Sequence, residues 1–227
     1  MEHTIHPIAI MRSDFPSKFG IPRQSGLVES LRSTIVFEPR YRNSEALRGL
    51  EGFSHLWIIW QFSEAIRTEF TPTVRPPRLG GNTRMGVFAT RSPFRPNSLG
   101  LSCVKLIGLE QTVENGTVIH VSGADLMDGT PIFDIKPYIP YSDSHPDALG
   151  GFTDSAGEFL LEVDFPRHLL DKFPEDKQIS ILEVLSHDPR PSYQASADRI
   201  YGLSFGGFDI RFSVDDNILH VKEVTPL

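Results

Sequence analysis

The sequence contains one cysteine, Cys103, among its 227 residues. It can form no internal disulfide and no thiolate metal cluster. Long apolar runs are missing as well. The most apolar stretch, Phe53 to Phe62, is about half the length a membrane-crossing helix needs. No signal-like start is visible, so a reducing cytoplasm is the expected setting, with no membrane partner. Several recognition signatures are absent. There is no GxGxxG, no phosphate loop ending in Gly-Lys-Ser/Thr, no HExxH and no GxSxG elbow. The histidines are scattered, only His3 and His6 standing close together, so no metal is expected. A net charge of −7 lacks the cationic excess that indiscriminate nucleic-acid binding requires. Repeats and low-complexity tracts are absent too.

Acidic residues are themselves missing from one region. Between Glu69 and Glu110 there is none, yet Arg75, Arg78, Arg84, Arg91, Arg95 and Lys105 all lie there. A basic centre in an acidic chain suits a specific anionic ligand, or a nucleic acid gripped at one place. Within this region, Gly86 to Leu106 reads as a strand over Gly86–Thr90, a rigid turn, and a second strand from Leu99. The turn carries Arg91, Phe94 and Arg95 around Pro93 and Pro96, and proline lowers the entropy cost of holding side chains in one pose. Residue types alone leave two readings open. One is a preorganised anion- or nucleotide-binding turn; the other is a stiff loop whose arginines pair with structural carboxylates.

Short β-prone runs separated by glycine and proline predict strands over Ile5–Met11, Ser33–Glu38, Phe53–Phe62, Thr117–Ser122, Ile132–Ile135 and Phe159–Phe165. The turn Glu114-Asn115-Gly116 pairs Thr117–Ser122 with Val104–Leu109. His55 reads as a satisfied core or edge histidine, and Trp57 and Trp60 as core. After Pro166 the character changes. Two short amphipathic helices, Arg167–Phe173 and Ile179–His187, precede a hairpin of Phe208–Val214 and Ile218–Val224. The expected architecture is mainly β: an antiparallel β-barrel over residues 1–165 with a small α+β appendage over 166–227.

A second informative stretch runs from Gly123 to Tyr138. Asp125, Asp128 and Asp134 lie close in sequence, and an unbroken strand would put Ile132, Asp134 and Lys136 on one face. Such carboxylates can accept a proton, bind an amine or ribose, pair with Arg91 or Arg95, or hold a divalent metal. Asx-turn chemistry accounts for Asp128 before Gly129 equally well.

RSPFRPNSLGLS followed by DLMDGTPIFDIKPYIPY closely resembles the TsaA-like family, and GIPRQSGL and GLEGFSHLWII fit its upstream pattern. That family includes the bacterial TrmO tRNA methyltransferases. The likeness runs from about residue 5 to about residue 150. A weaker one follows in the tail, at LSHDPRPSY (residues 185–193) and RIYG (residues 199–202). The resemblance implies a β-barrel that binds S-adenosylmethionine (SAM), with methylation at N6 of N6-threonylcarbamoyladenosine beside the anticodon of tRNA. It also implies a homodimer. By the same resemblance the cofactor contacts fall on Pro22, Arg23 and Gln24, on Ser63 and Glu64, on Arg91 and Leu101, and on Asp125, Leu126, Met127 and Asp128. Asp134 or Asp125 is the candidate base that takes the N6 proton. Arg75, Arg78, Arg84 and Arg95 are candidates for tRNA phosphates, and Phe94 or Tyr138 for stacking on the target base. The chain departs from the family pattern at Ser63 (often histidine), Trp60 (usually phenylalanine) and Ser98 (commonly proline). Two other classes fit the residues. One is a metal-dependent phosphoesterase built on Asp125, Asp128 and Asp134; the other is a non-catalytic RNA-binding module.

Overall fold

The structure is a computed structural model that describes residues 3–76, 79, 83–154, 160–190 and 199–227. In chain order its strands are β1 (Ala9–Arg12), β2 (Arg32–Phe37), β3 (His55–Gln61), β4 (Thr73–Val74), β5 (Met85–Gly86), β6 (Leu99–Thr112), β7 (Gly116–Ser122), β8 (Pro131–Pro137), β9 (Glu162–Asp164), β10 (Tyr201–Phe205), β11 (Phe208–Asp215) and β12 (Ile218–Pro226). The helices are α1 (Pro140–Asp143), α2 (Arg167–Leu170) and α3 (Glu175–Ser186). The fold is mainly β, as the composition of short strands predicts.

Six strands pair in a closed ring in the order β1-β2-β7-β6-β3-β8, with β8 returning to β1. All six pairings are antiparallel. Strict alternation decides which way each strand faces. In β3, Leu56, Ile58 and Trp60 point inward and are buried, while His55, Trp57, Ile59 and Gln61 point outward. Each full burial is worth about 1.5–3 kcal/mol, and a one-residue slip would turn every such side chain outward. Ile35, Ile119, Val121 and Ile132 fill the same interior.

Strand β8 contains a bulge opposite Ile59 and Trp60, so Ile59 pairs with Asp134 and Trp60 with Ile132. The extra residue breaks the expected alternation. Ile132 therefore lies inside the ring and Asp134 outside, rather than on one face. Gly86–Thr90 also departs from the expected strand. Only Met85–Gly86 is extended, and Val87–Ala89 forms a single tight helical turn that buries Val87 and leaves Phe88 in solvent.

Strands β10, β11, β12 and β9 form a second sheet, and β9 joins it in parallel with β12. The Glu162–Asp164 strand, expected at the end of the ring, thus belongs with the tail. Helices α2 and α3 cover this sheet through Leu169, Leu170, Ile181, Val184 and Leu185. The same core takes in Phe15, Val28 and Leu31, with Phe19 and Ile21 packed against it. The long connection between β1 and β2 is therefore seated on the tail. Ser30 Oγ donates to Glu183 Oε2, Ser180 Oγ donates to the Ser30 carbonyl at 3.0 Å, and Asp14 pairs with Lys177.

Gly100 in β6 lies flat against the Trp60 indole. A Cβ there would sit 2.3–2.7 Å from the ring. The indole is rigid and boxed in, so overpacking of about 1–3 kcal/mol is expected. Gly100→Ala should lower the melting temperature by roughly 3–10 °C, measured by calorimetry.

Candidate functional site

Strand β6 is longer than β7, and the difference creates an open peptide edge. Ser98 accepts from Phe62 and Leu106 donates to Ser54, so even-numbered residues of this stretch turn their peptide groups toward the β3 side. Leu101 and Cys103 turn theirs away. On that side β7 reaches only as far as Lys105, which pairs with Ser122. The Cys103 N–H is answered by Ser25 Oγ at 3.1 Å. The Leu101 peptide group faces the gap beside it, with a donor and an acceptor presented together.

Three loops close on this gap. The β1–β2 connection brings Arg23, Gln24 and Ser25, held from below by the buried Pro22 and by Ile21 on the tail core. The proline-rich turn brings Arg91, whose Nη1 donates to Gln24 Oε1. The turn after β7 brings Asp125, whose Oδ1 accepts from Ser102 Oγ at 2.5 Å. Ser102 in turn accepts from the Trp60 indole N–H at 2.9 Å, deep in the ring. Ser63 and Glu64, at the end of β3, are tied to the first loop by Glu64 and Lys18 at 3.8 Å.

Burial pushes the Asp125 carboxyl above the usual carboxylate range, opposed in part by the Ser102 hydrogen bond and the nearby Arg91 guanidinium. A desolvated carboxylate beside an exposed guanidinium is a site for a zwitterion. Arg91 has no carboxylate within ion-pair distance among the described residues, so its charge is available to an incoming anion. An amino-acid carboxylate fits Arg91, a cation fits Asp125, and a planar base edge with one donor and one acceptor fits the Leu101 peptide. The residues present therefore suit SAM.

Other candidates lie elsewhere. Asp128 accepts from the Ser13 N–H at 3.1 Å and pairs with Arg12 at 3.3 Å, fixing the turn against β1. Leu126 is fully buried in the ring core, and the Met127 carbonyl accepts from Thr130 Oγ1. Asp134 is on the outer face, paired with Lys136 at 2.8 Å. Asp125, Asp128 and Asp134 thus point to Ser102, Arg12 and Lys136 respectively, and they do not converge as metal ligands or as a carboxylate pair. Arg95, a candidate for RNA, donates to the carbonyls of Thr90 at 2.6 Å and Val87 at 3.4 Å, stapling its own turn, and forms no ion pair among the described residues. Tyr138 packs beside Trp57 and His55 on the outer face. Arg78 and residues 191–193 of the tail motif lie outside the described residues. Ser98 adopts a φ of 44°, which a proline ring cannot reach, so this turn follows a backbone path that the usual proline would forbid.

The family model of the tRNA-methyltransferase O N-terminal domain matches residues 10–144, and that of the TrmO C-terminal domain matches residues 159–227. The chain belongs to the TrmO family. An Escherichia coli tRNA (adenine(37)-N6)-methyltransferase is 41% identical over 229 residues, covering 96% of each chain. A Pseudomonas aeruginosa protein described as a putative S-adenosylmethionine-dependent methyltransferase, RcsF, is 40% identical over 219 residues, or 93% of each chain. A crystal structure of TrmO from P. aeruginosa superposes with a TM-score of 0.81 at 34% identity, covering 100% of this chain and 98% of that one.

Within this TrmO-family chain a groove of about 400 Å³ lies between the ring and the tail, and neither Arg91 nor Asp125 lines it. Arg12 pairs there with Asp128 and Lys177 with Asp14, while Arg32 donates to the Glu29 carbonyl.

Sequence reasoning missed Ser25, Ser102 and the part Trp60 plays in the site. A usable signal existed for Ser102. It breaks the apolar inward series of β6, and a hydroxyl facing a core requires a partner.

Proposed function

We propose that this protein transfers the methyl group of SAM to N6 of N6-threonylcarbamoyladenosine at position 37 of tRNA. The observation that carries the reading is the convergence of an Arg91 with no ion pair among the described residues, a desolvated Asp125 and the open Leu101 peptide edge at one end of the strand ring. Relatives with the named activity match nearly the whole chain. Arg91 with Gln24 holds the amino-acid carboxylate, the Leu101 edge holds the adenine, and Arg23, Pro22, Ser63, Glu64 and the neighbouring backbone complete the walls. When bound, SAM supplies a methyl already activated on a sulfonium, so alignment is the main task left to the protein. The N6 lone pair of the modified base is delocalised into the ring and the carbamoyl group. Asp125 takes the N6 proton as attack proceeds, and burial gives it the raised proton affinity that this role needs. Ser102 and Trp60 hold it in place.

The proposal includes a homodimer, a cytoplasmic setting, and a ring that acts as a β-barrel. It places the domain boundary between residues 145 and 160 rather than at 165/166, because β9 pairs with β12. Among the described residues no helix is long and apolar enough to cross a membrane. The test is methyl transfer from labelled SAM to two tRNA pools, one carrying the threonylcarbamoyl group and one lacking it. Transfer to the first alone is expected. Equal transfer to both would sink the substrate assignment, and sedimentation of the same preparation reads the dimer.

A further inference from the structure

A hydrophobic cluster stands in solvent beside the candidate site. Phe70 is 56% exposed, Phe88 71% and Phe94 36%. Their rings are ordered relative to one another. Phe70 and Phe88 are near-parallel, with centroids 6.3 Å apart and planes 25° from each other. The Arg67 guanidinium lies 3.5 Å from the Phe94 centroid, and Arg95 lies 5.9 Å from that of Phe88. A cleft of about 150 Å³ runs between the Arg67–Thr71 segment and Phe94–Pro96.

The cluster is rigidly mounted. Val87 is buried and its N–H donates to the Pro72 carbonyl at 2.9 Å. Thr90 Oγ1 and Arg95 both bond back to the Val87 carbonyl. This turn therefore spends its only buried side chain on holding Phe88 outward. Such an arrangement is poor for folding and good for contact.

Charge identifies what makes the contact. Arg67, Arg75, Arg84, Arg91 and Arg95 form no ion pair among the described residues, and the only acidic residue between positions 65 and 109 is Glu69. The chain as a whole carries −7. A second copy of this surface would set arginine against arginine, whereas a phosphate backbone neutralises them. Aromatic faces interleaved with unpaired arginines match single-stranded nucleic acid, whose bases stack while its phosphates find the cations.

We propose that Phe70, Phe88 and Phe94, with Arg67, form a stacking platform for unpaired anticodon-loop nucleotides that flank the target base. This rests on the tRNA reading above. Extrusion of the target base breaks its stacking with its neighbours, and the platform gives those neighbours a replacement face. Arg91 sits in the same turn as Phe94, so the platform lies next to the cofactor end of the site.

The test is direct binding of a synthetic anticodon stem-loop RNA, read by fluorescence anisotropy on the full chain. The Phe70→Ala/Phe88→Ala double variant should raise the Kd at least about tenfold, the lower range for losing one base–aromatic stack. Its SAM affinity should stay within about twofold of the parent, since neither ring takes part in the contacts assigned to SAM above. Phe88→Trp, which keeps a stacking face, should bind RNA within about threefold of the parent. An unchanged Kd in the double variant would overturn the platform. So would a halved sedimenting mass, which would make the cluster a subunit interface. Because the binding assay needs no turnover, a parent protein that binds the stem-loop yet transfers no methyl group would overturn the methyltransferase reading and leave the platform supported.

Discussion

Arg91→Ala should lose SAM affinity by about 100-fold or more in titration calorimetry, while its melting temperature should stay within about 2 °C of the parent. Two features set these magnitudes. Arg91 is exposed and donates to the Gln24 side chain, so the fold has little invested in it. A ligand carboxylate left facing that gap without its guanidinium would lose a charge-assisted pair and remain partly desolvated, a combination that costs about 2–5 kcal/mol. Gln24→Ala removes only the group that orients Arg91 and should cost several-fold. Unchanged cofactor binding in Arg91→Ala would move this arginine to the RNA side of the site.

Asp125→Asn should lower kcat by about 10²–10⁴-fold, because an amide cannot take up the N6 proton. The same substitution should make the protein more stable at neutral pH. Burial raises the Asp125 pKa, so the folded state holds the proton more tightly than the unfolded chain does. The carboxyl's contribution to stability is then full below its ordinary pKa and is lost as pH climbs through the raised value. An amide has no such loss. The melting-temperature advantage of Asp125→Asn should therefore grow across that window and vanish at more acidic pH. The parent kcat should rise with pH through the same interval, and the variant should show no such rise. A variant as active as the parent would leave Asp134, on the outer face beside Lys136, as the remaining candidate base.

Much of the ring was legible because its strands alternate cleanly and its turns carry strong signals. The β6–β7 hairpin follows from Glu114-Asn115-Gly116, and the inward face of β3 from its alternation of large apolar residues. The bulge in β8 was not legible. Ile132, Phe133 and Ile135 satisfy an unbroken strand as well as a broken one, and only pairing with Trp60 decides. Sequence proximity misled in the acidic stretch. Asp125, Asp128 and Asp134 are neighbours along the chain, but a tight turn and a bulge send them to three different surroundings. The clustering of basic residues is the more durable signal, since among the described residues Arg75, Arg84, Arg91 and Arg95 form no ion pair. Nothing local distinguishes the last strand of one sheet from the first of the next, so Phe159–Phe165 reads as part of the ring although β9 joins the second sheet.

The loop bearing Arg23 and Gln24 is anchored on the tail, through Phe15, Phe19, Ile21 and Leu31 in the core of the second sheet. Gly20 lies so close to Leu203 that a side chain there would collide with it. The loop is thus one body shared by two equilibria: ligand capture at its tip and docking of the tail at its base. Thermodynamic reciprocity then applies. Whatever free energy a docked tail contributes to ligand affinity, a bound ligand returns to tail docking. The tail's hydrogen-exchange protection should therefore rise with ligand occupancy at the loop tip.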